Sequence, residues 1–343
     1  MRALVFTGPK NAEVRDVPEP VAEPGNVVVE VERVGVCGTD VELFTGGMSY
    51  LHSGRASYPL RPGHEWSGTV IAAGPGVDPS WTGRRVTGDT MIACGHCRRC
   101  LAGRHHVCAG MLELGIADGR PGALAERLAF PAAYLKALPD SVDATLGALV
   151  EPGGNSLRGV EAAALTAGER LLVLGSGTIG LLAAMFGRAR GLEVHVAGRR
   201  PADLNLVRAL GFEHAWTVET LPGLAWDAVI DAATSPVLPS LAVELVEPGR
   251  RVVYIGLSGT PSLLDTRDVV LKDVTTVGIL GASAGLAGTI AAYADRSVDP
   301  RPLVAATVGL DEVADVFAGL RPAGAGPGPK IHVDPRIRHG RSG

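Results

Sequence analysis

The chain has 343 residues, 46% of them hydrophobic and 20% charged, and a formal net charge of −4. This composition is typical of a globular protein long enough for two domains, and it excludes a disordered chain. The charge provides no basic field, so nucleic acid is not an expected partner.

The N-terminal run and the most apolar stretch both argue against a targeting or membrane segment. Residues 1–6 form a short strand-like run without the apolar core or cleavage site of a signal peptide. Residues 171–186 are too short and too rich in glycine to span a bilayer. We therefore expect a cytoplasmic protein without a membrane partner.

The first part of the chain, residues 1 to about 90, is predicted to be rich in β-structure. β-branched residues are frequent in the runs 27–34, 69–73 and 84–89, and glycine and proline separate the runs. Short strands joined by such turns predict a compact, barrel-like domain.

Four of the five cysteines follow the spacing C-x2-C-x2-C-x7-C. Four thiolates this close saturate a tetrahedral zinc and leave no open position, so we predict a structural zinc lobe at about residues 90–110. An odd cysteine count without a secretion signal argues against disulfides. The alternatives are a set of reduced, unliganded thiols, an iron–sulfur cluster and a zinc-finger module for nucleic acid, and the net charge opposes the last. The predicted ligands are Cys94, Cys97, Cys100 and Cys108, whereas His105 and His106 are expected to face solvent.

Thiolate, imidazole and carboxylate side chains in three separated segments suggest a second, open zinc site. The segments are Cys37-Gly38-Thr39-Asp40, Gly63-His64-Glu65 and Glu151-Pro152. The last lies in a region, residues 141–165, that we predict to be helical, capped by Ser141 and interrupted at residues 151–154. A carboxylate in such an apolar region needs a partner, unless Glu151 is simply a surface residue at a helix break.

A dinucleotide-binding motif follows the apolar run 171–174 and precedes the helical stretch 181–190. A G-x-G-x-x-G motif between a strand and a helix is a strong signal, because its glycines allow the tight turn and the close approach of the pyrophosphate. The helix N-terminus supplies N–H groups to the phosphates. The motif consists of Gly175, Ser176, Gly177, Thr178, Ile179 and Gly180.

The residues after the next predicted strand, 193–197, favour NADP(H) over NAD(H). An NAD site needs an acidic residue there, but the chain has Gly198, Arg199 and Arg200. A small residue leaves room, and two guanidinium groups suit a 2′-phosphate. Asp203 is the competing signal, and a solvated turn is the alternative interpretation of the two arginines.

Three further predicted strands, 228–230, 251–255 and 275–279, alternate with helices. This alternation predicts a parallel, doubly wound sheet with a dinucleotide crevice at the carboxyl ends of its strands. Helices over 288–296 and 311–320, a strand over 330–333 and a fraying polar end over 336–343 complete the prediction. The crevice residues are Ala232, Ile255, Gly256 and Leu280.

Together, these motifs resemble the zinc-dependent medium-chain alcohol and polyol dehydrogenases, and most closely their sorbitol, threonine and glucose dehydrogenase branches. The resemblance covers nearly the whole chain. It implies an α/β fold: a GroES-like, β-rich catalytic domain of residues 1–151 and 281–343, and a doubly wound Rossmann domain of residues 152–280. It also implies a homodimer or homotetramer.

The resemblance also implies functional roles for individual residues. Cys37 and His64 would be firm ligands of a catalytic zinc, and Glu65 and Glu151 would share the remaining protein position. Thr39 would hydrogen-bond the substrate hydroxyl and begin a proton relay. Family members commonly carry histidine five residues after the zinc cysteine, where this chain has Glu42. We hypothesise that Glu42 is a carboxylate relay or binds a polyhydroxylated substrate.

The implied activity is interconversion of a secondary alcohol and its ketone, with hydride transfer to or from NADP(H). One catalytic and one structural Zn²⁺ are implied per chain. Glu42 and Glu151 favour a polyol, sugar or cyclitol as the small-molecule substrate. The alternatives are a reductase of C=N or C=C bonds on the same scaffold and a catalytically silent NADPH-binding protein.

Overall fold

The computed structural model describes residues 1–338, so part of the predicted polar end, from residue 339 onward, lies outside the described residues. The chain divides into two compact units. One comprises Met1–Glu151 together with the chain from Leu303 onward, and the other comprises Pro152–Pro302.

The first unit is built on a seven-stranded sheet that surrounds a large apolar core. Strand β3 lies at its centre and pairs antiparallel with β4 and β8. Its alternating valines Val27, Val29 and Val31 pack into the core. Two small hairpins, β1–β2 and β6–β7, accompany the sheet. The strands are β1 (Arg2–Gly8), β2 (Asn11–Asp16), β3 (Asn26–Gly35), β4 (Glu65–Ala73), β5 (Arg85–Gly88), β6 (Met91–Ile92), β7 (Leu112–Glu113), β8 (Arg127–Pro131) and β9 (Leu135–Ala137).

The helices of the first 150 residues are short. They are α1 (Gly38–Thr45), α2 (Ser49–Ser53), α3 (Arg98–Leu101) and α4 (Ala144–Ala148). The longer helix α5 (Val150–Ala163) begins at the end of this stretch, and its residues from Pro152 onward belong to the second unit.

Two predictions about residues 141–165 are wrong. Asp143, not Ser141, caps α4, and its carboxylate accepts the Leu146 N–H at 2.9 Å. Helix α5 also continues through residues 151–154 instead of breaking there. Pro152 is the third residue of α5, in the first turn, where its missing N–H removes no intrahelical hydrogen bond.

The second unit contains the predicted doubly wound parallel sheet, which is confirmed. Its six strands run in the order β12-β11-β10-β13-β14-β15, and all neighbours are parallel. The strands are β10 (Arg170–Leu174), β11 (Glu193–Gly198), β12 (Ala215–Thr217), β13 (Trp226–Asp231), β14 (Val246–Tyr254) and β15 (Thr275–Gly278). The helices are α6 (Thr178–Ala189), α7 (Leu204–Ala209), α8 (Leu238–Leu245), α9 (Thr266–Leu271) and α10 (Leu286–Ala294).

The second unit ends later than predicted, at residue 302 rather than 280. Helix α10 packs within this unit, since the Tyr293 ring stacks on Phe186 with centroids 6.2 Å apart. Gly153 leaves the space that the Tyr293 hydroxyl group occupies, because a Cβ there would lie 2.3 Å from it. These contacts explain why residues 281–302 belong to the second unit.

The chain then returns to the first unit with β16 (Val304–Val308), α11 (Val313–Phe317) and β17 (Lys330–Val333). β17 pairs antiparallel with the end of β3 and parallel with β16, so it extends the seven-stranded sheet. Among the helices within residues 1–338, none is both long and apolar enough to cross a lipid bilayer.

Candidate metal centre and dinucleotide site

Cys37, His64 and Glu65 come together in the first unit. One ligand atom from each lies within 4.8 Å of the others. Cys37 immediately precedes α1, and His64 and Glu65 stand at the start of β4, which pairs with β3. His64 and Glu65 are buried, whereas Cys37 is partly exposed. A thiolate, an imidazole and a carboxylate in this arrangement are a donor set that suits zinc.

The Asp40 side chain contacts His64 and the backbone beside Cys37 and His64. Its carboxylate is fully buried on α1, and Oδ1 lies 3.4 Å from His64 Nδ1. The same carboxylate accepts the Cys37 N–H at 3.0 Å and the Gly63 N–H at 3.3 Å. A carboxylate against one ring nitrogen is the arrangement that leaves the other nitrogen for a metal. Burial lowers the pKa of His64, but Asp40 and Cys37 more than compensate, so the pKa stands above its ordinary value.

Lys330 on β17 forms a buried ion pair with Glu65. Its Nζ lies 2.8 Å from Glu65 Oε1 and 2.7 Å from Oε2, and it also donates to the Val36 carbonyl oxygen at 3.0 Å. Burial lowers the pKa of Lys330, but the negative charges of Glu65 and Cys37 raise it by more than burial lowers it. The net pKa is above its ordinary value, so the ammonium group is retained. Gly35 makes room for the pair, because a Cβ there would lie 2.1 Å from Glu65 Oε2.

The other residues assigned to this site occupy two helices. Glu151 is buried as the second residue of α5 and is not part of the group whose ligand atoms lie within 4.8 Å. Thr39 and Glu42 lie on α1 and are half-buried. Burial raises the pKa of Glu42. This change is in the direction that favours proton relay near neutral pH.

The four cysteines of the lobe form a compact set. Neighbouring Sγ atoms are separated by 3.5 to 3.8 Å around the set. A tetrahedral zinc with Zn–S bonds of about 2.3 Å requires Sγ atoms about 3.8 Å apart, so the sulfur positions fit a closed zinc site. The set consists of Cys94, Cys97, Cys100 and Cys108.

The prediction that the two histidines of the lobe are solvent-facing loop residues is wrong. His106 is buried, with 7% of its surface exposed. His105 is partly buried, and its Nε2 lies 2.7 Å from Asp89 Oδ2. The short 3₁₀ turn at residues 105–107 folds both rings back onto the unit, and the spacing of the residues gave no sign of this turn.

A third group of metal-type side chains, Glu193, His195 and His214, lies in the second unit. The Trp216 Nε1–H donates to His195 Nδ1 at 3.1 Å, so that nitrogen carries the lone pair. His195 Nε2 then carries the proton and donates to Glu193 Oε1 at 2.8 Å. Both ring nitrogens of His195 are used, so this group is a hydrogen-bonded network, not a metal site.

The glycine-rich loop has three distinct roles, one for each glycine. Gly175 has a φ of 120°, which favours glycine. A Cβ at Gly180 would lie 1.9 Å from the Gly175 carbonyl oxygen, so only glycine permits this turn. Gly177 has open space within 4 Å of its Cβ position, as close approach by a pyrophosphate requires. Ser176 lies in the loop, and Thr178 and Ile179 are the first two residues of α6.

The end of β11 and the turn after it contain Gly198 and the two arginines, and the structure adds an ion pair between Arg200 and Asp203. Gly198 is buried against Ser176 and Leu204, and Arg199 and Arg200 are exposed. Arg200 forms an ion pair with Asp203 at 2.6 Å, which lowers the pKa of Asp203.

The remaining predicted crevice residues lie just after the carboxyl ends of β13, β14 and β15. The Ile255 and Gly256 N–H groups donate to the Asp231 carbonyl oxygen at 2.9 and 3.0 Å. A Cβ at Gly256 would lie 1.8 Å from the Ala233 carbonyl oxygen, next to Ala232. The Leu280 carbonyl oxygen accepts from Arg158 at 2.7 Å.

Sequence reasoning missed two residues of the metal centre. Asp40 belongs to the segment Cys37-Gly38-Thr39-Asp40 but is not among the predicted site residues, although an acidic residue three positions after a helix-capping cysteine is a usable signal. Lys330 falls in the predicted strand 330–333, for which the sequence predicts no acidic partner. Lysine is rare in this chain, and a lysine inside an apolar strand signals a buried acid.

Comparison with known families identifies both parts of the chain. Residues 23–140 match the alcohol dehydrogenase GroES-like domain, and residues 178–296 match the zinc-binding dehydrogenase domain. The L-threonine 3-dehydrogenase of Sinorhizobium medicae (strain WSM419) is 28% identical over 339 residues, which covers 95% of this chain and 97% of that protein.

Two solved structures are similar over almost their full length. A protein from Sinorhizobium meliloti 1021 bound to NADP, assigned to the zinc-binding dehydrogenases, has a TM-score of 0.87 and 29% identity, covering 97% of this chain and 99% of that one. A short chain alcohol dehydrogenase from E. coli CFT073 complexed with NADH has a TM-score of 0.88 and 25% identity, with the same coverage.

Proposed function

This chain belongs to the zinc-dependent medium-chain dehydrogenase family, and from that premise we propose that it interconverts a secondary alcohol and its ketone with NADP(H). The observation that carries the proposal is the convergence of Cys37, His64 and Glu65 in a chain that also has the complete glycine loop. A polyol, sugar or cyclitol is the favoured substrate. L-Threonine, which the similar enzyme from Sinorhizobium medicae is named for, is also a secondary alcohol.

We assign the metal ligands as follows. The Cys37 thiolate and His64 hold the catalytic zinc, and Glu65 and Glu151 supply the remaining position in turn. Lys330 binds the Glu65 carboxylate when it is off the metal and keeps the buried charge paired. The four cysteines of the lobe hold a second, structural zinc.

When bound, zinc supplies Lewis-acid polarisation of the substrate oxygen and the nicotinamide supplies the hydride acceptor or donor. The residues of the chain orient the substrate and move its proton. Thr39 accepts the proton of the substrate hydroxyl group and passes it towards Glu42, whose raised pKa suits a carboxylate relay. Asp40 holds the His64 ring throughout.

The cofactor preference rests on the composition of the turn after β11. Gly198 packs closely against Ser176 and Leu204, Arg199 is exposed and carries no ion pair in the described chain, and Arg200 is shared with Asp203. One relative in complex with NADP and another with NADH show that both cofactors occur among similar structures. NADP(H) is therefore our proposal for this chain.

We also predict that the protein forms a homodimer or homotetramer and that it is located in the cytoplasm. Strand β15 ends the six-stranded sheet, and Leu263, Val270 and Leu271 of the same unit are exposed. Large exposed apolar side chains favour self-association. Light scattering of the purified protein measures the assembly directly.

The test combines zinc content with an activity screen. We expect two zinc ions per chain and reduction of NADP⁺ by at least one member of a panel of polyols, sugars, cyclitols, L-threonine and simple secondary alcohols. Cys37→Ser should lose one zinc and more activity than the roughly 10–100-fold typical of outer-shell changes. His214→Gln replaces a partly exposed histidine of the other unit, which stacks on His195, and should retain both.

Other outcomes point to the rival functions. Reduction of C=N or C=C substrates without alcohol oxidation would identify a reductase on this scaffold. NADPH binding without turnover of any substrate, in protein with its full zinc content, would identify a catalytically silent protein.

A further inference from the structure

The first unit contains a cavity of about 510 Å³ that neither predicted zinc site uses. The segments 54–61 and 115–121 line most of it, together with Val5 and Val17. Its ionisable lining side chains are three arginines and one aspartate: Arg55, Arg61, Arg120 and Asp118.

One of the three arginines already has its partners. The Arg55 guanidinium lies 2.7 Å from Asp118 Oδ2 and 3.0 Å from Glu113 Oε1. It also stacks over the Tyr50 ring, with its Cζ 4.1 Å from the centroid. The single aspartate of the cavity wall is thereby neutralised and does not compete for the other two arginines.

Arg61 and Arg120 form no ion pair among the residues that the structure describes, and the nearest influence of a carboxylate on Arg120 is the longer-range charge of Glu23. Arg61 donates its Nε–H to the Gly122 carbonyl oxygen at 2.8 Å, which fixes the side chain and leaves the four N–H groups of its two terminal nitrogens. Burial lowers the pKa of Arg61 to about 10, and burial also lowers the pKa of Arg120, although the charge of Glu23 partly offsets it.

We propose that this cavity binds a small molecule through an anionic oxygen group, a phosphate or a carboxylate, held by Arg61 and Arg120. The planar guanidinium group matches the paired oxygens of both groups. Two partly buried cations without an ion-pair partner carry a desolvation cost that such an anion offsets. The volume is in the range of small-ligand pockets.

The backbone holds this site in a preformed state. The Asp118 N–H donates to the Arg55 carbonyl oxygen and the Gly122 N–H to the Arg61 carbonyl oxygen, each at 2.7 Å. A Cβ at Gly122 would lie 2.3 Å from the Pro62 carbonyl oxygen, so the two segments pack backbone to backbone. A preformed site binds with little ordering cost, and its occupancy does not depend on the proposed dehydrogenase reaction.

The experiment measures binding of inorganic phosphate and of acetate by calorimetry at constant ionic strength. We expect saturable binding to the unaltered protein. Arg120→Gln should weaken it by about tenfold or more, because a hydrogen bond to a charged group is lost. Arg84→Gln removes an exposed arginine of the same unit and should bind as the unaltered protein does. Arg61→Gln provides a second variant, with circular dichroism as the check on its folding.

Two further comparisons complete the test. Glycerol 1-phosphate binding more tightly than phosphate, or malonate more tightly than acetate, would support the site and identify which anionic group it recognises. The proposal is overturned if no probe binds saturably. It is also overturned if Arg199→Gln abolishes binding and Arg120→Gln does not, since the anion would then lie at the dinucleotide site.

Discussion

Lys330 Nζ lies within 2.8 Å of both carboxylate oxygens of Glu65, and both side chains are almost completely buried. The pair joins the last strand of the chain to the strand that begins at the metal centre. A buried carboxylate beside a thiolate would be costly alone, and Lys330 supplies the compensating charge.

Replacing Lys330 should therefore destabilise the first unit strongly. Lys330→Met leaves Glu65 buried without its partner, and we expect a loss of about 3–5 kcal/mol in the free energy of unfolding. Denaturant unfolding followed by tryptophan fluorescence measures it. Lys10→Met, at an exposed position, is the matched control. In the double variant Glu65→Gln/Lys330→Met most of the loss should be recovered; if it is not, the loss comes from packing rather than charge.

The local features of the second unit were predictable because their signals are contiguous in sequence. The run 171–174, the glycine loop and the start of α6 form one continuous segment, and the structure has them in that order. The Lys330–Glu65 pair spans 265 residues, and no local pattern connects its members. The same limit explains the burial of His106 and the position of the unit boundary, since both depend on packing against distant segments.

The glycine loop offers a pair of substitutions with opposite expected effects. Gly177 has free space at its Cβ position and an ordinary φ of −82°, so Gly177→Ala should leave the free energy of unfolding almost unchanged. It should nevertheless weaken dinucleotide binding, because the added methyl group occupies the approach of the pyrophosphate.

Gly180→Ala should instead destabilise the fold, because its Cβ would lie 1.9 Å from the Gly175 carbonyl oxygen. We expect a loss above about 2 kcal/mol, in the range of overpacked cores. Thermal unfolding and NADPH fluorescence titration separate the two effects. Equal dinucleotide affinity in Gly177→Ala and the unaltered protein would contradict the proposed position of the pyrophosphate.

The arginines after β11 should separate the two cofactors. Arg199→Gln is expected to weaken NADP⁺ binding by about tenfold and NAD⁺ binding much less, because only NADP⁺ carries a 2′-phosphate. Asp203→Asn should strengthen NADP⁺ binding, since it releases Arg200 from its ion pair. Arg267→Gln, an exposed arginine of the same unit, is the control. A similar loss for both cofactors in Arg199→Gln would argue against the 2′-phosphate contact.

The cysteine lobe is tested by metal content and absorption. Cys97→Ser should lower the zinc content by one ion per chain, because a closed tetrahedral site requires all four thiolates. The same site in the unaltered protein should show no visible absorption, since Zn²⁺ is colourless. Iron in the purified protein with absorption in the visible range would instead support the iron–sulfur alternative.

Asp231, at the end of β13, should make the stability of the second unit depend on pH. Its side chain is buried, and burial raises its pKa from 3.8 to about 6 although the Ala233 N–H bonds the carboxylate. The unfolded chain releases this proton at lower pH than the folded chain, so ionisation favours unfolding. Stability should fall as the pH rises from about 4 to about 6, and the penalty should stay constant above that range.

The shift corresponds to about 3 kcal/mol at neutral pH. Asp231→Asn removes the charge and can keep the bond from the Ala233 N–H, so it should be more stable than the unaltered protein by up to that amount above pH 6. Below about pH 4 the two should be equal, because the carboxyl group is then protonated in both states. Asp273→Asn, at an exposed position, should show no such pH-dependent difference. A gain in Asp231→Asn that does not vary between pH 4 and 8 would mean that packing, not ionisation of the buried carboxyl group, is responsible.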